Sequence, residues 1–285
     1  MNNNSATRSL LKSTFVAMLS IPATLWGQSH GHLNVGATAG TQNSALIFAN
    51  GSDFAPATHY VKTLIYTNAG KYVGLYQGNI TLTALPRTAA HAGPDPSAPA
   101  FGSLIQASMV SVTGPVGGEF SFWENGASKA TFTLRTGRTG TNLWKLSEND
   151  GAPGTDPYGH IHGRRFSATL PGIYTVGFQA FDISTNGMGG GPIHTPSSIT
   201  HVTFQAGVNM ESIEPDYEEG HVHVRFGAMA GFSWQLEASA NVSPNPVWSP
   251  AGEPVVGDDV FIEVIHDKPP GAIRFYRVQG TPIEP

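Results

Sequence analysis

The sequence predicts an all-β fold, in which an antiparallel β-sandwich domain is followed by a smaller β module. The chain of 285 residues contains 34 Gly and 21 Pro, and only 12% of its residues are charged. Long runs of good helix formers are therefore scarce. Thr, Val, Phe and Tyr recur in short runs that are bounded by Gly, Pro, Asn and Asp, a pattern typical of strands and turns. Short strands at this spacing favour a sandwich.

The N-terminal segment has the three parts of a secretory signal. Arg8 and Lys12 lie at its start, residues 14–25 form a short apolar run, and small or polar residues follow at 27–29. The run is too short for a membrane span. We therefore expect residues 1–29 to be a cleaved signal peptide and the mature protein to be periplasmic or extracellular. Since no second apolar stretch of spanning length occurs, we expect no transmembrane span.

Residues 30–207 are predicted to form the sandwich domain. Strand patterns occur in order along this segment, separated by Gly- and Pro-rich loops, at 45–48, 59–66, 72–85, 103–113, 118–124, 130–135 and 199–206. The segment 156–181 adds the His-x-His pair, a Pro-Gly turn and a strand of alternating apolar residues. An acidic run around Pro215 predicts a linker or an exposed edge. Residues 208–285 then contain four more strand patterns, which are long enough together for a small module of their own.

Charge and cysteine content exclude two classes of site. The formal net charge of −5 argues against a nucleic-acid partner, because such proteins usually carry a basic surface. The chain has no Cys, so that disulfides and thiolate metal sites are impossible. Any metal ion must be held by His, Asp, Glu or backbone oxygen.

A His-x-His pair is the most specific motif. If His160 and His162 lie in a strand, their imidazoles point to the same face, and neutral imidazole is a ligand for zinc, copper and nickel. Zinc takes three or four ligands. We therefore predict that His32, with His30 beside it, and His194 in a Gly-rich loop complete the site. Asp53, His59 and Asp156 are alternatives or orienting partners.

Other patterns have simpler interpretations. His221 and His223 repeat the spacing, but no third ligand is evident, so we interpret them as an edge or an outward strand face with Val222 and Val224 packed inward. A second metal site at this pair is the alternative. Arg164 and Arg165 are expected to pair with surface carboxylates, although one of them could hold an anionic ligand. No nucleophile motif or phosphate-binding loop is present.

Several separated motifs resemble one family of exported bacterial proteins. The motifs are HGHLNVGA at 30–37, LTALP at 82–86, VTGPVGGEFSFWE at 112–124 and GHIHGRRFSATLPGIYTVGF at 159–178. Together they resemble the zinc-uptake-regulator-repressed PEP-CTERM family, which is related to the surface-anchored, choice-of-anchor M domain of actinobacteria. The resemblance covers about 30–206 and does not extend to 208–285. It implies a β-rich extracytoplasmic zinc binder with His30, His32, His160 and His162 at its histidine positions.

The sequence leaves three functions open. The first is capture or buffering of a divalent metal, most simply zinc, with copper as the alternative ion. The second is a copper monooxygenase-like enzyme, because cleavage after Ser29 would make His30 the first residue and give it an amine as well as an imidazole. The third is a structural or adhesive surface protein in which the histidines bind no metal.

Overall fold

A computed structural model describes residues 32–88, 93–160, 164–208, 210–242, 246–267 and 274–283. These residues form strands and short turns, and the predicted all-β fold is confirmed. The predicted signal peptide and two of the predicted ligands, His30 and His162, lie outside the described residues. Among the described residues, none of the helices has the length and apolar character needed to cross a membrane.

The larger core is built from the strands that precede residue 207. They are β1 (His32–Ala37), β2 (Leu46–Phe48), β3 (Lys62–Thr67), β4 (Leu75–Gly78), β5 (Thr81–Ala84), β6 (Ile105–Thr113), β7 (Glu119–Trp123), β8 (Phe132–Arg135), β9 (Arg138–Lys145), β10 (Gly159–His160), β11 (Arg165–Ala168), β12 (Gly172–Asp182) and β13 (Thr200–Ala206). Short 3-10 helices lie between strands at Gly51–Phe54, Pro56–Thr58, Gly70–Tyr72 and Met188–Gly190.

Two sheets share this core. Within the described residues the larger sheet has nine strands in the order β8-β7-β11-β4-β3-β13-β12-β6-β9, and the tight β8–β9 connection nearly closes it on itself. The smaller sheet has the order β10-β5-β1-β2. Most pairs are antiparallel, as predicted, but β1 pairs with β5 and β3 pairs with β13 in parallel. Both parallel pairs join strands that are distant in the chain, since a short hairpin cannot connect parallel strands.

Aromatic side chains of the nine-stranded sheet fill the interior of the larger core. The alternation of β12 points Tyr174, Val176 and Phe178 inward, and all three are fully buried. Phe178 lies 5.5 Å from Phe166 between ring centroids, in an edge-to-face arrangement that aromatic pairs favour. Each side chain of this size contributes about 1.5–3 kcal/mol through burial. The core therefore fixes the sheets that carry the histidines.

A second core is built from the strands that follow residue 209. They are β14 (Met210–Asp216), β15 (His221–Ala228), β16 (Phe232–Ser239), β17 (Ser249–Pro250), β18 (Val255–Val256), β19 (Val260–His266) and β20 (Phe275–Pro282). One sheet has the order β14-β15-β19, and in the other β16 pairs with β17, β18 and β20. Val222, Val224, Phe226 and Trp234 lie in the core between them.

The two cores touch through a small polar interface. Lys62 forms an ion pair of 2.8 Å with Asp259, and Tyr60 forms an isolated antiparallel bridge with Val260. The fully buried Gln205 donates to the Gly227 carbonyl at 2.8 Å. Strand β13 of the first core is thus tied directly to β15 of the second.

Candidate metal centres

The smaller sheet brings two of the predicted ligands together. Strand β5 lies between β1 and β10, and its register pairs Thr83 with His160 on one side and with Asn34 on the other. His32 lies two residues before Asn34, so that its side chain shares the outer face of the sheet with those of Thr83 and His160. The two imidazole rings stack with centroids 4.9 Å apart and an interplanar angle of 26°.

One hydroxyl group lies between the two rings. Thr83 Oγ1 is 3.1 Å from His32 Nδ1 and 3.2 Å from His160 Nδ1. A threonine hydroxyl has one hydrogen and two lone pairs, so it accepts from both rings, or accepts from one and donates to the other. When it accepts from both, each ring is the Nδ1–H tautomer and each Nε2 carries a lone pair. This is the tautomer in which both rings could bind metal through Nε2.

The backbone around the pair is also held in place. The Asn50 amide accepts from the Asn34 N–H at 2.9 Å and donates to the His32 carbonyl at 2.6 Å. The His160 N–H donates to the Glu148 carboxylate at 3.3 Å. Because both rings are only partly buried, an ion could reach them from solvent.

An open polar cleft of about 260 Å³ adjoins His160 and is lined in part by Glu124, Lys145, Glu148 and Arg164. Arg164 Nε donates to Glu124, and its terminal nitrogen donates to the Lys145 carbonyl at 2.9 Å. Arg164 therefore pairs with a carboxylate, as expected of it. The ion pair lowers the net positive charge that Arg164 would otherwise place beside the imidazoles.

His194 lies at the other end of β1 and has a structural role. Its Nε2 accepts from the Ala100 N–H at 2.8 Å, which makes Nδ1 the protonated nitrogen, and Nδ1 lies 2.8 Å from Ser44 Oγ. Burial lowers the pKa of the His194 imidazole, because a charged ring is poorly solvated there. Both ring nitrogens are thus used within the fold. This placement argues against the predicted role of His194 as a fourth ligand.

The structure also shows the contacts of the residues that were predicted as alternative ligands. The Asp156 carboxylate accepts from the N–H groups of Arg87, Thr88 and Tyr158 and from the Thr88 hydroxyl. Burial opposes its ionisation, but these hydrogen bonds outweigh that effect and lower the pKa of Asp156. Asp156 therefore joins the segment before β10 to the residues that follow β5. His59 Nδ1 lies 2.8 Å from an Arg225 nitrogen, and Asp53 is exposed in a 3-10 helix.

A second group of possible ligands lies in the smaller module. Asp216, at the end of β14, is paired with His221, at the start of β15, across a tight hairpin. One ligand atom from each of Asp216, His221 and His223 lies within 4.8 Å of the other two. We call these three residues the hairpin triad. All three side chains are partly buried, so the group is accessible from solvent.

Hydrogen bonds orient the hairpin triad. Asp216 Oδ1 accepts from the N–H groups of Glu219 and Glu218, at 3.0 and 2.9 Å, and these bonds lower the pKa of Asp216. His223 Nδ1 lies 2.9 Å from Glu263 Oε1, a hydrogen bond that raises the pKa of His223. In the neutral ring this bond places the proton on Nδ1 and the lone pair on Nε2.

The hairpin triad was missed from the sequence. The outward orientation of His221 and His223 was predicted, and Val222 and Val224 are indeed buried. Strand β15 is, however, the central strand of its sheet and not an edge. The acidic run that contains Asp216 is predicted to be a linker or an exposed edge, and the structure places Asp216 at the end of the edge strand β14. The distance of five residues from Asp216 to His221, across a turn that ends at Gly220 with a φ of +78°, is the signal of a two-strand hairpin that would have joined them.

Comparison of the chain with protein-family models and with curated proteins finds no match. The resemblance drawn from the sequence motifs therefore stays a prediction.

Proposed function

We propose that this protein binds a divalent metal ion at the His32–His160 pair and serves metal capture or buffering outside the cytoplasm. The observation that carries the proposal is the shared contact of both rings with Thr83 Oγ1. Two imidazoles distant in the chain are held side by side by one hydroxyl that can fix the metal-binding tautomer of both. A hydrogen bond to the second nitrogen is the usual partner of a metal-bound histidine.

Zinc is the ion we propose, with copper as the alternative. Two imidazoles supply half of a tetrahedral shell, and the predicted ligands His30 and His162, which are close in sequence to the pair, are the candidates for the remainder. Imidazole ligation suits both metals, and the affinity order favours copper. The resemblance to a zinc-linked family and the partly buried, open setting of the pair support a role in holding zinc reversibly.

The test measures zinc binding to the full chain by calorimetry. The double variant His32→Ala/His160→Ala is expected to lose one bound zinc equivalent, with at least a 100-fold drop in affinity at that site. His201→Ala, which changes an exposed histidine on β13, is the matched control and should bind as the wild type does. Retention of wild-type binding by the double variant would contradict the proposal.

A second pair of variants tests the role of Thr83. Thr83→Val removes the acceptor of both Nδ1–H groups and keeps a β-branched side chain, so the strand should persist. Zinc affinity should fall about 10- to 100-fold, the usual effect of losing an orienting partner. Thr83→Ser keeps the hydroxyl and should bind within a few-fold of the wild type.

A further inference from the structure

We infer that the hairpin triad of Asp216, His221 and His223 is a second site for a divalent transition metal ion, separate from the His32–His160 pair. The inference does not depend on the function proposed above, because no residue is shared between the two groups. It assigns a task to the smaller module, which would hold its own ion.

The pairing of β14 with β15 fixes the positions of the three donors. Asp216 and His221 are cross-strand partners in the hairpin, and His223 lies two residues further along the same face of β15. Three donors on two adjacent strands are thereby fixed before any ion arrives. Their ligand atoms lie within 4.8 Å of one another, and modest side-chain rotations would bring them to the ~3.3 Å separation that bonds of about 2.0–2.1 Å in a tetrahedral shell require.

A further carboxylate lies beside His221. Glu219 Oε2, in the turn of the hairpin, is 3.2 Å from His221 Nε2, but Glu219 does not belong to the three residues whose ligand atoms all lie within 4.8 Å of one another. Because 71% of its side chain is accessible, Glu219 can rotate toward an ion held by the triad, and water can take the fourth position when it does not.

An outer carboxylate completes the arrangement. Glu263 Oε1 lies 2.9 Å from His223 Nδ1, which leaves Nε2 of the neutral ring as the metal-binding atom. This carboxylate–histidine pairing is the usual support of a metal-bound imidazole. Among the described residues, only Oδ1 of Asp216 accepts hydrogen bonds from the turn, and Oδ2 is the oxygen we assign to the ion.

The ligand set selects the class of ion. Two imidazoles and one or two carboxylates suit zinc, cobalt and nickel, whereas magnesium and calcium prefer shells made of oxygen alone. Glu214, Glu218 and Asp267 lie near the triad in sequence or space. Together with Glu219 and Glu263 they make this end of the module acidic, which favours the approach of a cation.

The test counts zinc ions bound to the full chain by equilibrium dialysis and uses cobalt absorption to report the ligand geometry. The wild type is expected to bind two ions. His221→Gln/His223→Gln should bind one and lose the hairpin component of the cobalt spectrum, while His32→Ala/His160→Ala should keep it. Circular dichroism and thermal melting of each variant show that the fold is retained.

The outcomes separate the two proposals. If the hairpin variant keeps the zinc stoichiometry and cobalt spectrum of the wild type, the second site is excluded. If the wild type binds a single ion that only the His32→Ala/His160→Ala variant loses, the second site is excluded and the proposed function stands. If the single ion is lost only in the hairpin variant, the second site stands and the proposed function fails.

Glu263 provides an independent check on the same site. Glu263→Ala should weaken zinc binding at the hairpin about 10- to 100-fold. Glu263→Gln should restore much of it, because the amide oxygen still accepts from Nδ1–H. Glu253→Ala, which changes an exposed acid of the same module, should leave the affinity unchanged. Equal effects of Glu253→Ala and Glu263→Ala would reduce the role of Glu263 to bulk charge and would overturn its assignment.

Discussion

At the scale of single residues, the described histidines differ in the groups that contact their ring nitrogens. His194 uses both nitrogens inside the fold, on the Ala100 N–H and the Ser44 hydroxyl. His32 and His160 share a hydroxyl on Nδ1, and His223 shares a carboxylate there. A hydrogen bond at Nδ1 orients a ring and favours the tautomer whose Nε2 can bind a metal ion. The two bonds of His194 instead stabilise the fold around it.

The buried His194 gives a prediction for acid stability. Burial lowers the pKa of His194 in the folded protein, so the unfolded chain binds the proton more tightly. The free energy of unfolding should therefore fall as pH drops below about 6.5, the unfolded value, with a slope of up to about 1.4 kcal/mol per pH unit for this one proton. Below the folded pKa of His194 this contribution should level off.

Urea unfolding at pH 7.5 and pH 5.0 measures this contribution. His194→Gln cannot be protonated and should lose less stability between the two pH values than the wild type, even though its stability at pH 7.5 is lower. His201→Gln, at an exposed position, should keep the wild-type dependence. An unchanged pH dependence in His194→Gln would show that other groups cause the acid sensitivity.

At the scale of elements, β12 organises the larger core. Phe178 packs edge-to-face against Phe166 and Trp144, with centroids 5.5 and 6.3 Å away. Phe178→Ala should reduce the free energy of unfolding by about 3–5 kcal/mol, because a fully buried ring is replaced by a cavity. Thr175→Ala, on the opposite face of the same strand, should cost less than about 1 kcal/mol. Similar losses for both variants in urea unfolding would contradict the assignment of the two faces.

The sequence shows how far an element can be predicted from its own residues. The alternation of β12 and the outward direction of His221 and His223 follow from a period of two within a single strand, and the structure agrees with both. The parallel pairing of β1 with β5 could not be predicted in this way. This pairing depends on which strands become neighbours, and the packing of the whole core determines that.

The candidate sites also combine features that can be predicted from one segment with features that depend on how strands pair. That His32 lies beside His160 was expected from chemistry, since both are potential ligands. The position of Thr83 between them is a matter of register, for which the sequence carries no local signal. Asp216 joins the hairpin triad because of hairpin pairing, whereas its acidic neighbours in sequence indicate only a linker or an exposed edge. The structure places His194 against Ala100 and Ser44, because a Gly-rich loop can close over a core as well as over a metal.

At the scale of the whole molecule, the two cores are coupled by buried polar contacts. Gln205 Nε2 donates to Thr63 Oγ1 at 2.7 Å and to the Gly227 carbonyl at 2.8 Å. Because Gln205 is fully buried, removing its amide leaves both acceptors without this donor. Such a loss lowers the free energy of unfolding by about 1–3 kcal/mol. The effect weakens the contact between the two modules.

Gln205→Ala is therefore expected to separate the unfolding of the two modules. Calorimetry should show a broader or divided transition, compared with a more cooperative one in the wild type. Gln179→Ala removes a comparable side-chain bond, of 2.7 Å to the Ser197 carbonyl, away from the interface. It should lower the stability of the larger core alone. A single unchanged transition in Gln205→Ala would mean that Lys62 and Asp259 suffice to couple the modules.

The contact of His32, Thr83 and His160 at the outer face of the smaller sheet can form only late in folding. Thr83 lies 51 positions after His32 and 77 positions before His160. Closing loops of such lengths belongs to the late, slow part of folding. A nascent or still extended polypeptide thus has no preformed imidazole pair, and under the proposed function ion loading follows the completion of the fold.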